Sequence, residues 1–356
     1  MTARGACAAR RGERMDRLNR KETEALTPER KNNRSAHDRR DGQRITEVNG
    51  MKRMICFALL LALCVSPLSA LAAKEPPALP KELTVRAGQF QLFKQSFTGV
   101  WESSDPAVAG AEPDVNDKKM VRLIGFQAGE AILTLTGTKT NKTAQVKITV
   151  LPEENAEAET PELLQKAVEI GLREWEELGG KSLPQEPRNN KYTKWWGYAC
   201  GWCGAFAGYC LDTAGVPLES EDIINKLKPL DSGDPHGVKA AGVPKLNTGY
   251  TNMGRVTKLP RPGYLVIYGS VKDSYGYKHV GLVTDVQALE DGKYLVSTVE
   301  GNMSSTVKRY CYVYDARNVD HKNMTSAPQE VQTDARIQYN PHQADWYVTE
   351  FCMTWY

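Results

Sequence analysis

The most regular pattern of apolar and polar positions lies between residues 202 and 215. Apolar or small side chains recur at intervals of three and four, at Cys203, Phe206, Ala207, Cys210 and Leu211. This spacing predicts the buried face of an amphipathic helix. Gly215 follows where a glycine commonly ends a helix. An earlier helix is predicted to begin at 160–162 and to end at Gly179-Gly180.

Alternation with a period of two dominates residues 81–151. Short strands are predicted at 83–85, 89–93, 121–124, 131–135 and 144–150, separated by turn residues, and no helical period is present. This pattern predicts a small all-β sandwich. Further strands are predicted at 264–268, 278–286, 294–299 and 306–314, with a last strand within 345–356. The C-terminal region therefore mixes helices and strands.

The first 73 residues have a different character. Residues 1–50 carry no apolar periodicity and cannot bury a core, so we expect a disordered leader. Residues 51–73 combine a basic start, a short apolar run and a small-residue exit at Ala72 or Ala73, as in a secretory signal peptide. We expect translation to start at Met51 and the protein to be secreted and associated with the cell wall. A long n-region and a cytoplasmic tail on a retained helix are the alternatives.

Charge divides along the chain in the same way. The total of +3 contains +5 from residues 1–50 and +2 from Lys52 and Arg53, which leaves −4 for residues 74–356. A mildly acidic protein of this kind gives no indication of a nucleic-acid partner. We also expect no stable membrane anchor after signal cleavage, since the apolar run is too short to span a bilayer permanently.

Three segments supply candidate chemistry in the C-terminal region. Cys203 falls in the first turn of its predicted helix, where the backbone N–H groups and the helix dipole favour a thiolate. His279 lies near the start of one predicted strand, and Glu300-Gly301-Asn302 ends the next. A nucleophile, a base and a polar residue that orients the base are the three components of a catalytic triad.

Residues 195–312 resemble the CHAP domain, the cysteine-histidine amidohydrolase/peptidase module of enzymes that cleave peptidoglycan. The matching motifs are Trp202-Cys203, 209–217, Pro262-Gly263 before a strand, His279-Val280-Gly281 and Glu300-Gly301-Asn302. The resemblance implies a papain-like α+β fold, with helices packed on an antiparallel sheet. It also implies Cys203 as nucleophile, His279 as base and Glu300 or Asn302 as the orienting group, without a metal or other cofactor. Tyr264 departs from the family, which usually has an acidic residue there.

The same resemblance implies the substrate and the residues that contact it. We expect peptidoglycan to be cleaved at an amide bond, by an N-acetylmuramoyl-L-alanine amidase or an endopeptidase. The aromatic residues around the upstream loop are predicted to wall the groove: Tyr192, Trp195, Trp196 and Trp202. Residues 231–252 are predicted to cover one side of the cleft. We expect the protein to be a monomer.

The β-rich region resembles the bacterial Ig-like domain, group 2, through residues 101–109 and 129–134. The expected organisation is a linker at 74–80, the Ig-like sandwich at 81–152, an acidic linker at 153–161 and the CHAP domain at 162–356. The family implies a spacer or adhesion module, and no binding residue is assigned to it.

Cysteine positions leave two other chemistries open. Beyond the signal segment the sequence has Cys200, Cys203, Cys210, Cys311 and Cys352, an odd number that fits one free thiol. Cys200 and Cys203 form a C-x-x-C pair, so a thiol–disulfide oxidoreductase is an alternative, as is a zinc site that includes His279. A catalytically inactive wall-binding protein is a third. His321 and His342 lie in polar stretches and are assigned no function.

Overall fold

The computed structural model describes residues 76–114, 117–154, 156–272 and 276–356. The predicted leader and signal peptide, residues 1–50 and 51–73, lie outside this range. Within the described part of the chain, no helix combines the length and the apolar character that crossing a bilayer requires. The described residues all belong to one compact unit.

The described part of the N-terminal region forms seven strands. They are β1 (Glu82–Arg86), β2 (Phe90–Lys94), β3 (Gly99–Ser103), β4 (Ala109–Pro113), β5 (Met120–Gly125), β6 (Gly129–Gly137) and β7 (Thr143–Leu151). One sheet has the order β1-β7-β6-β3 and the other the order β2-β5-β4. The five predicted strands are confirmed, but β3 and β4 were missed. Exposed Val100 and the small residues of β4 give these two strands little apolar alternation.

The two sheets share a core of alternating inward-facing side chains. Val85 and Ile148 from one sheet and Val121 and Leu123 from the other are buried in it. Burial of such side chains against a facing sheet is what stabilises a small all-β unit. Assignment of this unit to the bacterial Ig-like domain stays a prediction.

The described part of the C-terminal region contains four α-helices and nine strands. The helices are α1 (Glu162–Leu178), α2 (Lys191–Trp196), α3 (Cys203–Ala214) and α4 (Val243–Asn252). The strands are β8 (Leu218–Ser220), β9 (Gly237–Lys239), β10 (Val256–Thr257), β11 (Leu265–Ser270), β12 (Tyr277–Ala288), β13 (Lys293–Met303), β14 (Thr306–Asp315), β15 (Met324–Ser326) and β16 (Trp346–Cys352). Seven of these strands form one sheet in the order β10-β16-β11-β12-β13-β14-β15, with antiparallel pairing throughout.

Strands β11 and β16 lie inside this sheet, each paired with a neighbour on both sides. Every residue of β11 is buried, and β16 is buried from Tyr347 onward. Strands covered on both faces read as continuous apolar runs, whereas half-exposed strands alternate. The predicted return of the chain as a strand within 345–356 is confirmed.

Helices α1 and α3 pack together on the sheet and position the start of α3. Helix α1 buries Leu164, Ala167, Ile170 and Trp175, and Gly179 ends it in the left-handed conformation. Helix α3 ends at Gly215, whose φ of 97° confirms the predicted C-cap. Since α3 is almost wholly buried, packing against its neighbours fixes the position of its first residue.

A buried cluster of charges joins the two regions. Lys258 Nζ lies 2.6 Å from Glu112 Oε2 and donates to the carbonyl of Thr349 at 2.6 Å. Arg122 Nη1 lies 3.1 Å from Glu350 Oε2. The Lys258 amide also donates to the carbonyl of Gly88 at 2.7 Å. The β-rich region is therefore packed directly on the C-terminal region, in addition to the connection through the predicted acidic linker.

Candidate active site

Cys203 is the first residue of α3. The preceding Trp202 provides no side-chain cap, so the N–H groups of the first turn remain available to a negative charge. The sulfur accepts hydrogen bonds from the backbone N–H groups of Gly204 and Val280. Burial raises the pKa of the Cys203 thiol, but the hydrogen bond and charge of His279 together with these N–H groups lower it below its usual value. The arrangement favours the thiolate.

His279 lies on β12 beside the start of α3. Its Nε2 is 3.0 Å from Oε2 of Glu300, which is ion-pair distance, although the N–H direction is not aligned for a hydrogen bond. With Nε2 towards Glu300, Nδ1 is the ring nitrogen left for the thiol of Cys203, to which His279 is hydrogen-bonded. Burial lowers the pKa of His279, yet the contacts with Cys203 and Glu300 outweigh burial and raise that pKa to about 10. A thiolate–imidazolium pair is therefore favoured at neutral pH.

Glu300 is fully buried on β13 and has four side-chain contacts. Its Oε1 accepts from Thr298 Oγ1 at 2.6 Å and from Tyr268 Oη at 2.8 Å. Its Oε2 faces His279 and accepts from His342 Nε2 at 2.7 Å. Burial raises the pKa of this carboxyl group, but the two histidines lower it well below the usual range. Glu300 is therefore held as a carboxylate.

Two glycines allow Glu300 to approach β12 and helix α3 to approach β13. A Cβ on Gly281 would lie 2.8 Å from Cγ of Glu300, so the carboxylate occupies the space left by the missing side chain. A Cβ on Gly301 would lie 2.3 Å from Cβ of Phe206 on α3. The His-Val-Gly and Glu-Gly-Asn motifs therefore allow the three elements to pack closely enough for the site to form.

Asn302 does not share the position of Glu300. The register of β13 against β14 shifts after Glu300, and Asn302 adopts a φ of 64°. Its amide nitrogen lies near Gly201, 3.7 Å from where a Cβ of that glycine would be. Of the two orienting groups left open by the sequence, the structure places Glu300 against His279 and Asn302 beside the loop that precedes Cys203.

The predicted substrate-binding aromatic residues lie elsewhere than expected. Tyr192 and Trp202 are fully buried and stack with a centroid distance of 5.0 Å. Tyr192 also donates to Glu174 at 2.7 Å, while half-buried Trp195 donates to Asp212 at 2.7 Å. Trp196 is half-buried and packs against Tyr198. The structure does not support the expected contact of Tyr192 and Trp202 with substrate, because their buried rings support the start of α3 from inside the core.

A cleft of about 610 Å³ lies beside Cys203, and its lining differs from the predicted set of aromatic residues. None of the four predicted aromatic residues belongs to that lining. It consists of the following residues: Tyr198, Cys200, Gly201, Cys203, Glu221, 241–245, Tyr277 and Lys278. The contribution of residues 241–245 confirms that part of 231–252 covers one side of the cleft.

The described cysteines, Cys200, Cys203, Cys210, Cys311 and Cys352, are all free thiols. Cys200 lines the same cleft as Cys203, and burial together with the charge of Cys203 raises the pKa of Cys200. The two thiols of the C-x-x-C pair therefore differ in acidity. Among the described residues, no three His, Cys, Asp or Glu side chains are grouped as metal ligands.

His342 was not predicted to take part in the site. It lies in the loop before β16, and its side chain has no exposed surface. Its ring stacks on Tyr310 at a centroid distance of 3.9 Å and on Trp346 at 5.2 Å. The sequence around His342 is polar and has no periodicity. Only the neighbouring aromatic residues indicate that this position could be buried.

Comparison with known families agrees with the site geometry. Residues 193–302 match the CHAP domain. The matched segment contains Cys203, His279, Glu300 and Asn302, and it ends before β14, β16 and His342. A search of curated proteins finds no match to the chain.

Proposed function

We propose that this protein is a secreted cell-wall hydrolase that cleaves amide bonds in peptidoglycan through a cysteine thioester. The observation that carries the proposal is the order of contacts in the buried site. Cys203 at a helix N-terminus is hydrogen-bonded to His279, whose opposite ring nitrogen faces Glu300. This is the arrangement required of a nucleophile, its base and the group that orients the base. The match of residues 193–302 to the CHAP domain supports peptidoglycan as the substrate.

The reaction begins with attack of the Cys203 thiolate on the carbonyl carbon of an amide in the peptide part of peptidoglycan. The negative charge that develops on the carbonyl oxygen is stabilised by the Cys203 backbone N–H and by a donor from the upstream loop. The His279 imidazolium gives its proton to the leaving nitrogen, so the C–N bond breaks and an amine leaves. The acyl group remains on Cys203 as a thioester.

Hydrolysis then restores the enzyme. Neutral His279 takes a proton from water, and the resulting hydroxide attacks the thioester carbonyl. The C–S bond breaks, the acid product leaves, and Cys203 and His279 return to the thiolate–imidazolium pair. Throughout, Glu300 keeps the imidazole in one orientation and stabilises its positive charge.

Peptidoglycan digestion tests this proposal. The protein from Lys74 onward and its Cys203→Ala variant would be incubated with purified peptidoglycan, and the soluble fragments would be identified by mass spectrometry. We expect fragments only from the protein that retains Cys203. A free lactyl carboxylate on muramic acid together with a free N-terminal L-alanine would identify an amidase, and new termini within the stem peptide or the cross-bridge an endopeptidase. Release of the same fragments by Cys203→Ala would contradict the mechanism.

The thiol–disulfide alternative requires a different pair of residues. An oxidoreductase would need both Cys200 and Cys203, because the second thiol resolves the mixed disulfide. Reduction of a small disulfide, compared between Cys200→Ala and the parent protein, would measure this activity directly. Exchange that depends on Cys200, without release of peptidoglycan fragments by the parent protein, would replace the hydrolase proposal.

A further inference from the structure

Glu300 is oriented by more than its own strand. The groups that face its carboxylate come from β11, β12, β13 and the loop before β16: Tyr268, His279, Thr298 and His342. Tyr310 and Tyr312 of β14 complete the surroundings, Tyr312 through a hydrogen bond of 2.9 Å to Tyr268. On the oxygen that faces the catalytic base, His342 is the group with an aligned hydrogen bond.

The contact fixes which ring nitrogen of His342 carries a hydrogen. An ionised carboxylate only accepts hydrogen bonds, so Nε2 at 2.7 Å must be the donor. The other nitrogen, Nδ1, is buried and has no partner among the described residues. Of the two ring nitrogens, Nε2 is therefore the one that must carry a hydrogen for this contact to form.

The ring of His342 is held firmly enough to position another group. It is stacked between Tyr310 and Trp346, with interplanar angles of 20° and 17°. The loop is tied to the end of β11, where Ser270 donates to Asp345 at 2.6 Å. Trp346 also lies 5.9 Å from the ring of His279 and so contacts both histidines. The loop before β16 thus contacts the site at both histidines.

We propose that His342 is a positioning residue of the active site, whose Nε2–H holds Oε2 of Glu300 in place against His279. His342 lies beyond the segment that matches the CHAP domain, so the match gives it no role. Without this donor, Oε2 would be restrained only by the poorly aligned contact with His279. The carboxylate, then hydrogen-bonded only through Oε1 to Thr298 and Tyr268, would shift relative to the imidazolium, which would lose its fixed counter-charge.

Four variants at one position separate positioning from packing. His342→Phe keeps an aromatic ring between Tyr310 and Trp346 but removes the donor. His342→Gln places an amide N–H near the position of Nε2, whereas His342→Asn is polar but too short to reach Glu300. His342→Ala removes both the ring and the donor. Thermal unfolding of each variant shows which of them retain the native fold.

Two activities are measured for each variant. The first is kcat and KM on a soluble peptidoglycan fragment, which rests on the proposed function. The second is the rate at which iodoacetamide alkylates Cys203 between pH 4 and pH 9, located by mass spectrometry and compared with Cys203→Ala. Alkylation reports the thiolate directly and needs no substrate, so it tests His342 even if peptidoglycan is not the substrate.

We expect His342→Phe to lower kcat by about 10- to 100-fold with little change in KM, since a hydrogen bond to a charged group is lost. The acid limb of the alkylation profile should move to higher pH, because loss of the His342 donor makes the Glu300 carboxylate easier to protonate. His342→Gln should recover most of the rate and restore the acid limb, and His342→Asn should not.

The contrast between Gln and Asn keeps the test decisive if His342→Phe does not fold. Equal behaviour of Gln and Asn, or an unmoved acid limb in every folded variant, would reduce His342 to a packing residue and overturn the proposal. If the alkylation profiles of the His342 variants change as expected but the parent protein releases no peptidoglycan fragments, the proposed substrate is refuted and the positioning role of His342 stands.

Discussion

Replacement of Glu300 by glutamine should remove the charge of this side chain while keeping its shape. The amide oxygen can face the N–H groups of His279 and His342, as Oε2 does now. The amide nitrogen can then donate to the hydroxyls of Tyr268 and Thr298, which accept as well as donate. We therefore expect Glu300→Gln to fold with the site in place, so that the loss of activity reports the loss of charge.

The expected size of the effect follows from distance and burial. At 3.0 Å, and with an effective dielectric constant of about 20, the His279–Glu300 pair interacts by about 5 kcal/mol. Removal of one member of a buried ion pair typically costs about 3–5 kcal/mol. At about 1.4 kcal/mol for each factor of ten, kcat should fall by between about 10²-fold and about 4 × 10³-fold. Because Glu300 is not in the cleft lining, KM should change little.

Steady-state cleavage of a soluble peptidoglycan fragment measures this loss, and Glu174→Gln is the matched control. Glu174 is a carboxylate of the same region, 2% exposed, and is hydrogen-bonded to Tyr192. Its replacement should lower stability but leave kcat within about twofold of the parent value, since it does not face the imidazole. A Glu300→Gln protein that is folded and retains more than a tenth of the parent kcat would refute the charge argument.

The geometry also predicts the pH range of activity and the effects of two further substitutions. Activity should persist up to about pH 10 and then fall, because the raised pKa keeps the His279 imidazolium protonated to that pH; loss of kcat/KM near pH 7 would contradict this. Activity should also remain on the acid side of the usual thiol pKa, since the Cys203 pKa is lowered. Gly281→Ala should reduce kcat by about tenfold or more, because its Cβ would displace the Glu300 carboxylate; unchanged cleavage in a folded variant would show that the carboxylate position is not critical. Lys258→Met should lower the free energy of unfolding in urea by about 3 kcal/mol, since it leaves buried Glu112 with one cation fewer. The control is Lys147→Met, which breaks the exposed pair with Glu130 and should change the free energy of unfolding by less than about 1 kcal/mol. Equal effects of the two substitutions would contradict the assignment of a buried interface.

The sequence alone determined the local features of this site. The three-and-four spacing after Trp202 placed Cys203 in the first turn of a helix, and the glycine at position 215 ended it. Alternation and apolar runs located His279 and Glu300 on neighbouring strands. These features could be predicted because helix and strand periodicities depend on residues that are close in sequence.

Only the tertiary structure decided which polar groups meet. Regular alternation would place Glu300 and Asn302 on the same face of β13, but the register shift after Glu300 separates them. Packing of α3 against the loop that precedes it placed Tyr192 and Trp202 in the core, away from the cleft. His342 reaches Glu300 across 42 residues, and Lys258 reaches Glu112 across 146. Such contacts depend on how whole elements pack, and no local period of the sequence records them.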